Sequence, residues 1–320
     1  MRIAFTSCFS AQLFKKQPVW DEIAAANPDV LVLLGDSIYL DVGDTVNTAG
    51  VQGMTQTEFA GHAHKKFGLQ VAQTQFKALV QSPGLATYAV WDDHDFLWND
   101  ACGANVMKNP VVKDLVYPSR AMFAAYRQAL SQRLAAGSFP SSPPPWSPAT
   151  PAPGYSVVAL GSDVFLHLTD TRSFRDRTLT ATKAILGRAQ LDEMEAKMDS
   201  APAGAVHLVA SSTVFEARHG ESWMQCQAEY GRLLTLAKRH NILVLSGDIH
   251  DNNLATFKIT PSRCMYEATA SGAALRTGVS IGSRQRNYGM LTVDAQNVGI
   301  ELFKSGASQY RGTVDRASWL

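Results

Sequence analysis

The chain has 320 residues, 46% of them hydrophobic and 18% charged, with a formal net charge of +1. This is the composition of an ordinary soluble globular protein, and four cysteines are too few for a disulfide scaffold. The near-neutral charge gives no pull toward nucleic acid or an anionic membrane, and no apolar run approaches the ~18 residues of a spanning helix.

The chain as given opens on a strand pattern, Arg2 to Thr6, without the basic start, long apolar stretch and cleavage site of a secretory signal. A cytoplasmic protein with free thiols is therefore expected. Pro18 opens a helix running to about Asn27, at a position where its missing N–H costs nothing. A second strand follows at Val30 to Leu34, a helix from about Thr57 to Gln81, a third strand at Thr87 to Trp91 and a helix from Ser119 to Ala135. Residues 137–154 are so rich in proline and serine that they must form a loop, either a surface excursion tied down by Trp146 or a lid. Beyond it come strands at Val164 to Thr169, Val206 to Ala210 and Ile242 to Ser246, with helices at Leu186 to Ser200 and Gln225 to Arg239 between them. Leu254 to Thr269 and Tyr288 to Phe303 carry strand and turn signals with little helix, which predicts antiparallel pairing over 254–320. No internal repeat is present. The alternation predicts an α/β protein, read here as one domain over 1–320.

The polar residues sit just past the strand ends. Strand one ends in Thr6-Ser7-Cys8, strand two in Gly35-Asp36-Ser37-Ile38-Tyr39 and strand three in Asp92-Asp93-His94-Asp95. The later strands end in Asp170-Thr171-Arg172, Ser211-Ser212 and Gly247-Asp248-Ile249-His250. Ligands of open α/β sheets bind outside the carboxyl ends of strands. Six such ends would converge on one site, and so many carboxylates would repel one another unless cations lay among them.

Spacing adds detail. Asp36 and Tyr39 can face one ion, leaving the second carboxylate oxygen to bridge to another. Asp248 and His250, two apart on extended backbone, share a face. Gly35 and Gly247 would let the chain turn sharply from each strand. Thiolate, phenolate, carboxylate and imidazole together suit a transition metal, with Fe(III) the first choice, while Asp36, Asp93 and Asp248 supply the oxygens that Ca2+ takes. Arg172 is either a phosphate fork or, with Asp170, part of a structural ion-pair network. Taken singly, Cys8 reads as a small buried hydrophobe and Tyr39 as a half-buried aromatic; the ordered series argues otherwise. His62 and His64 fall on a helix where residues two apart do not share a face, and Arg284 and Arg286 read as solvated loop charges. His167, His207 and His240 lie on or beside apolar strands and read as core or surface histidines.

The series TSCFS, LLGDSIYLD, VWDDHDFLWND, LTDTRSFRD, LGRAQLDEM, VASSTVF and LVLSGDIHDNN resembles, in order, the alkaline phosphatase D (PhoD-like) family of metallophosphatases. The likeness runs from about Thr6 to Asn253, and the Asp36–Tyr39 pair is similar to the iron-binding motif of the related purple acid phosphatases. The resemblance implies a sandwich of two facing β-sheets flanked by helices, with the site at one edge. It implies Fe(III) at Cys8, Asp36 and Tyr39, and one or two divalent ions, commonly Ca2+, using Asp36, Asp93 and Asp248; it leaves open how Asp248 and His250 divide between the metals. His94 matches the phosphate-contacting histidine, and Asn99 falls where a further ligand would lie. The chain departs from the family at Phe9, where Asn or Gln often follows the cysteine, and as given it is expected to be a form without the N-terminal domain and signal of secreted members.

The expected activity is hydrolysis of small-molecule phosphate esters, monoesters or diesters, by in-line attack of a metal-bound hydroxide, with His94 and Arg172 neutralising charge on the phosphoryl and departing oxygens. The rival from another class is a non-catalytic iron- or phosphate-binding protein on the same fold. Nothing in the sequence fixes the oligomeric state.

Overall fold

The long apolar runs at the start of the chain form strands buried on both faces. In the computed structural model, which describes residues 1–43, 46–177, 183–216, 220–274 and 286–320, every residue of β1 (Arg2–Phe9) after Arg2 is buried, as is all of β2 (Val30–Leu34). Alternate side chains enter different cores. Ala4, Leu31 and Leu33 pack outward under helices, whereas Ile3, Phe5, Val32 and Leu34 pack inward against a second sheet. Strands with both faces covered need no polar side, which is why the sequence shows continuous apolar runs here rather than alternation.

The remaining strands are β3 (Ala86–Val90), β4 (Ser156–Ala159), β5 (Val164–Leu168), β6 (Val206–Ala210), β7 (Asn241–Ser246), β8 (Asn252–Thr260), β9 (Arg263–Ala274), β10 (Asn287–Val293), β11 (Asn297–Lys304) and β12 (Ala307–Asp315). One sheet runs β3-β2-β1-β10-β11-β12 and the other β4-β5-β6-β7-β9-β8; the end of β1 pairs with β9 and joins them. β1 to β3 are parallel, as are β5, β6, β7 and β9, while β4, β8 and β10 to β12 pair antiparallel with their neighbours. β9 thus breaks the antiparallel pattern of the C-terminal part, because its buried face completes the parallel sheet beside β7.

Helices α1 (Val19–Ala25), α2 (Thr48–Gln52), α3 (Gln56–Val71), α4 (Thr74–Val80), α5 (Asp93–Phe96), α6 (Gly103–Met107) and α7 (Val116–Ser131) precede α8 (Arg188–Asp199) and α9 (Gln227–Leu236). Residues of α1, α3, α4 and α7 cover the first sheet, and Met194, Leu233 and Leu236 of α8 and α9 meet Val209, Ile242 and Val244 of the second. The result is a helix–sheet–sheet–helix sandwich, an α/β fold.

One expected element needs correction. The helix expected over Thr57 to Gln81 is two helices: Gln73 is extended, with ψ 124°, and its side chain caps the N–H of Phe76. The break turns α4 so that Phe76 reaches the rings of Phe9 and Trp20, 5.8 and 5.0 Å away between centroids. β4 carries no sequence signal because it is a short, half-exposed edge. The proline-rich loop is fastened to α3, Trp146 Nε1 donating to Gln56 Oε1 at 2.8 Å. Arg284 lies outside the described residues; Arg286 pairs with Glu22 at 2.7 Å.

Candidate metal centre

The ends of β1, β2, β3, β5, β6 and β7 meet at one edge of the sandwich, and the backbone there is unusual. Cys8, Asp36, Asp248 and His250 adopt φ of 60, 51, 71 and 55°. Left-handed backbone costs a non-glycine residue on the order of 1–3 kcal/mol, and strain of this kind concentrates where function requires it. Asp and His tolerate the region better than most residues, so the strain is sharpest at Cys8. Gly35 turns the chain as expected, with φ 95° and room for a Cβ denied by Asp92 Cβ at 2.6 Å. Gly247 plays a different part from the one expected. The left-handed turn is made by Asp248, and glycine is required at 247 because a Cβ would lie 2.4 Å from Ser7 Oγ.

These turns assemble two groups of donors. The ligand atoms of Cys8, Asp36 and His250 all lie within 4.8 Å of one another, and those of Asp36, Asp93 and His94 do the same, so Asp36 belongs to both. In the first group, Cys8 Sγ is 3.5 Å from Asp36 Oδ2, and Tyr39 Oη is 3.2 Å from His250 Nε2. Ser271 Oγ donates to the sulfur at 3.2 Å and accepts the N–H of His250 at 2.9 Å, so one hydroxyl ties two strand ends together. Burial, reinforced by the charge of Asp36, pushes the Cys8 thiol and the Tyr39 phenol well above their ordinary range. Burial likewise raises Asp36, with the carboxylates of Asp93, Asp92 and Asp95 adding to it against the opposing pull of His94. Each group is driven toward its neutral form, and Asp36 Oδ1 is buried with no hydrogen-bond partner among the described residues. A cation reverses both conditions. The donor set therefore fits a metal.

In the second group, Asp93 accepts the N–H of His94 at 2.9 Å, and its pKa falls to about 2: burial opposes the charges of Arg172 and His94, which win. Asp41 binds Nδ1 of His94, which leaves Nε2 as the nitrogen free to act. Burial lowers the His94 pKa, but the carboxylates of Asp93, Asp36 and Asp41 outweigh it and push the value up to about 10. Asp248 stands in neither group; burial and its neighbours Asp92 and Asp93 raise its carboxyl to about 7.

Behind the donors lies an arginine network. Arg172 is fully buried, bonded through Nε to Asp92 and with Nη2 2.9 Å from Glu221 Oε2. That ion pair lacks hydrogen-bond geometry, and Nη1 has no partner among the described residues, so neither terminal nitrogen makes a hydrogen bond there. Arg175, also buried, donates Nη2 to the Glu221 carbonyl at 2.6 Å. Asp170 makes no ion pair with Arg172. Its oxygens accept from Trp91 Nε1 and from the N–H groups of Arg172, Ser173 and Gly154, at 2.7 to 3.2 Å, and so fix the turn that presents Arg172. Asn99 gives its backbone N–H to Asp41 at 2.8 Å while its side chain is exposed. Asp95 holds Ile38 N–H and Asp92 N–H, both at 3.1 Å, clasping the β2 and β3 ends together.

Sequence reasoning passed over Asp41, Ser271, Arg175 and Glu221. Asp41 and Arg175 stood inside or beside the runs LLGDSIYLD and LTDTRSFRD, where a polar residue past a strand end was the available signal. Ser271 and Glu221 carried none, since nothing local marks a serine within β9 or a glutamate in a loop.

The model of the PhoD-like phosphatases matches residues 3–313, and the chain belongs to that family. Its members are metal-dependent phosphatases, and the two donor groups give this chain the means to hold metal. The solved structure of PhoD shares the fold, with a TM-score of 0.71 at 17% identity over 99% of this chain and 70% of that one. Wild-type Vps29 complexed with zinc from Entamoeba histolytica (TM-score 0.39, 8% identity, 99% of both chains) is a much looser likeness that carries no argument. The same holds for TT1561 of Thermus thermophilus, with a TM-score of 0.38 and 11% identity over 95% of this chain and 98% of that one. No curated protein matches in sequence.

Proposed function

We propose that this phosphatase hydrolyses small-molecule phosphate esters at a mixed metal centre, with Fe(III) held by Cys8, Asp36, Tyr39 and His250 and one or two divalent ions, Ca2+ the first choice, held by Asp36, Asp93 and Asp248. The observation that carries the reading is the double membership of Asp36, whose Oδ1 is buried and unpartnered. A carboxylate so placed is suited to bridge. His250 is assigned to iron because it sits with Cys8 and Tyr39 rather than with Asp93. Metals bound there supply positive charge for the phosphoryl oxygens and make water acidic enough to attack phosphorus near neutral pH.

The protein's own groups do the rest. The hydroxyls of Ser271 and Ser7, 3.2 and 3.4 Å from Cys8 Sγ, stabilise the thiolate. Arg172, held rigid by Asp92 and Glu221, offers its spare N–H groups to the phosphoryl oxygens. His94, oriented by Asp41, faces the departing oxygen and supports the charge that develops on it. Asp170 and Asn99 position these groups through the contacts described above and do not touch substrate. Both monoesters and diesters suit this chemistry.

The test is elemental analysis of protein purified without chelators, joined to visible spectroscopy. About one iron per chain with a tyrosinate-to-iron band is expected, and Tyr39→Phe should abolish or strongly shift that band. Iron without the band removes Tyr39 from the ligand set. Paired chromogenic monoester and diester substrates then define the ester class, and absence of turnover on both by metal-loaded protein sinks the catalytic reading.

A further inference from the structure

Away from the strand ends, the two sheets leave one side of the sandwich open. β3 pairs only with β2, and β4 only with β5, among the described residues. Between these edges lies a cavity of about 420 Å3, walled by Thr87 and Tyr88 of β3, Leu130 of α7, Val158 of β4 and Leu168 of β5. Arg127 and Arg133 line it as well, and among the described residues no acidic one does.

Three features set it apart from ordinary packing space. Arg127 has no carboxylate bonded to it among the described residues; the nearest acidic influence is Asp170, acting at a distance, and burial lowers the guanidinium pKa. Arg133 spends Nη2 on the carbonyls of Gln81 and Ser82, at 2.5 and 2.8 Å, and likewise has no described acid. Thr87 is 7% exposed, and its Oγ1 has no hydrogen-bond partner there. Buried hydroxyls are nearly always paired, so a bare one in the wall of a cavity marks that wall as unlike ordinary packing. Pockets of ~300–1,000 Å3 with apolar walls and a few converging polar groups are the usual form of a small-ligand site.

We infer that this cavity binds a small amphipathic anion, its apolar chain lying against Leu130, Val158 and Leu168 and its carboxylate meeting Arg127. The planar guanidinium matches a carboxylate fork, and Arg133 reinforces the field at the mouth. An extended peptide pairing with β3 is disfavoured, because residues of α7 and β4 share the cavity with the strand edge. The site is distinct from the metal centre: it surrounds the first part of β3, whereas Asp92 and Asp93 lie beyond its end.

Calorimetric titration of the full chain with decanoate tests this, with 1-decanol and decyltrimethylammonium as the uncharged and cationic counterparts. One decanoate per chain is expected, bound about ten-fold or more tighter than decanol, with no binding of the cation. Arg127→Gln should weaken decanoate about ten-fold and leave decanol unchanged, while Arg127→Lys keeps much of the preference. Ser156→Tyr, at the half-exposed rim, should block both. If Arg127→Gln fails to fold, the ranking of the three probes and the Ser156→Tyr block decide the matter. Equal binding of the probes overturns the inference, as does decanoate binding that survives Ser156→Tyr. No binding of decanoate, or capture of an apolar peptide in its place, overturns it too.

Discussion

Glu229 and Asp36 are both buried carboxylates, and they differ in where their oxygens go. Glu229 accepts three backbone N–H groups, from Ile185, Leu186 and Gly187 at 2.7 to 2.9 Å, and holds the chain as it enters α8. Glu267 is similar, taking the N–H groups of Phe215 and Glu216 and the hydroxyl of Ser246. Asp36 instead has one bare oxygen, a thiol beside the other and carboxylates around it. Asp92 resembles it in leaving Oδ2 unpartnered. A carboxylate saturated with N–H donors is a strut. One left unsatisfied among like charges needs a cation, and burial alone does not separate the two kinds.

The sharpest way to break that distinction is Asp36→Asn. The change keeps size, and asparagine tolerates the left-handed backbone of this position, so the fold should survive. Metal and activity should fall together, by about a thousand-fold or more in turnover, read by elemental analysis beside kcat. Asp95→Asn, which touches a clasp rather than a donor group, should be much milder. Full activity in Asp36→Asn would refute the shared-ligand model.

The second test is His94→Ala. It should keep most of its metal while losing about ten- to a thousand-fold in rate, with the smaller losses on substrates carrying good leaving groups. His94 lies in the donor group with Asp36 and Asp93, so the alternative is concrete. A metal-depleted His94→Ala makes His94 a ligand. Equal losses on good and poor leaving groups make it a phosphoryl contact rather than support for the departing oxygen.

How much of this was legible in the sequence follows from range. The parallel strands were readable because both faces are buried and the apolar runs are unbroken, as in Val30 to Leu34. Polar residues past strand ends were readable because the chain places them by local geometry. What could not be read was long-range closure. Ser271 reaches Cys8 across 263 positions and Asp41 reaches His94 across 53, and neither pairing leaves a local trace. The split of α3 from α4 was hidden for a related reason: its benefit, ring contact with Phe9 and Trp20, belongs to another part of the chain.

Asp41→Asn sharpens the comparison at lower amplitude, because Asp41 reaches the donor groups through His94. Its carboxylate meets Nδ1, and its other oxygen accepts Asn99 N–H at 2.8 Å and Thr48 Oγ1 at 3.1 Å. The amide keeps much of that scaffold but weakens the hold on the ring. A loss of about ten-fold in kcat, with KM little changed, is expected. A purely structural role would leave the leaving-group dependence intact, whereas a positioning role makes it converge on that of His94→Ala.

The smallest effect belongs to polar residues far from the metal centre, and it has a definite sign. Tyr155 Oη lies 2.7 Å from His167 Nδ1, and His167 Nε2 lies 2.9 Å from His207 Nδ1, a buried chain with no described acid bonded to either ring. Burial, with neighbouring histidines adding to it, lowers His167 to about 3 and His207 to about 4. Unfolded histidine takes its proton near pH ~6.5. As pH falls below that value the unfolded chain binds protons that the folded one refuses, so stability declines until the folded values are reached. Between about pH 7 and about pH 5.5 each histidine should remove roughly 1 kcal/mol. Glu267, raised to about 7 by burial, pulls the other way, since the folded chain holds its proton first. The measurement is therefore a difference: denaturant unfolding of wild type and His207→Asn at both pH values. The variant should lose less stability on acidification than wild type, whatever its absolute stability. Parallel curves would mean that His207 accepts a proton inside the folded chain, with the ring pair opening to accommodate it.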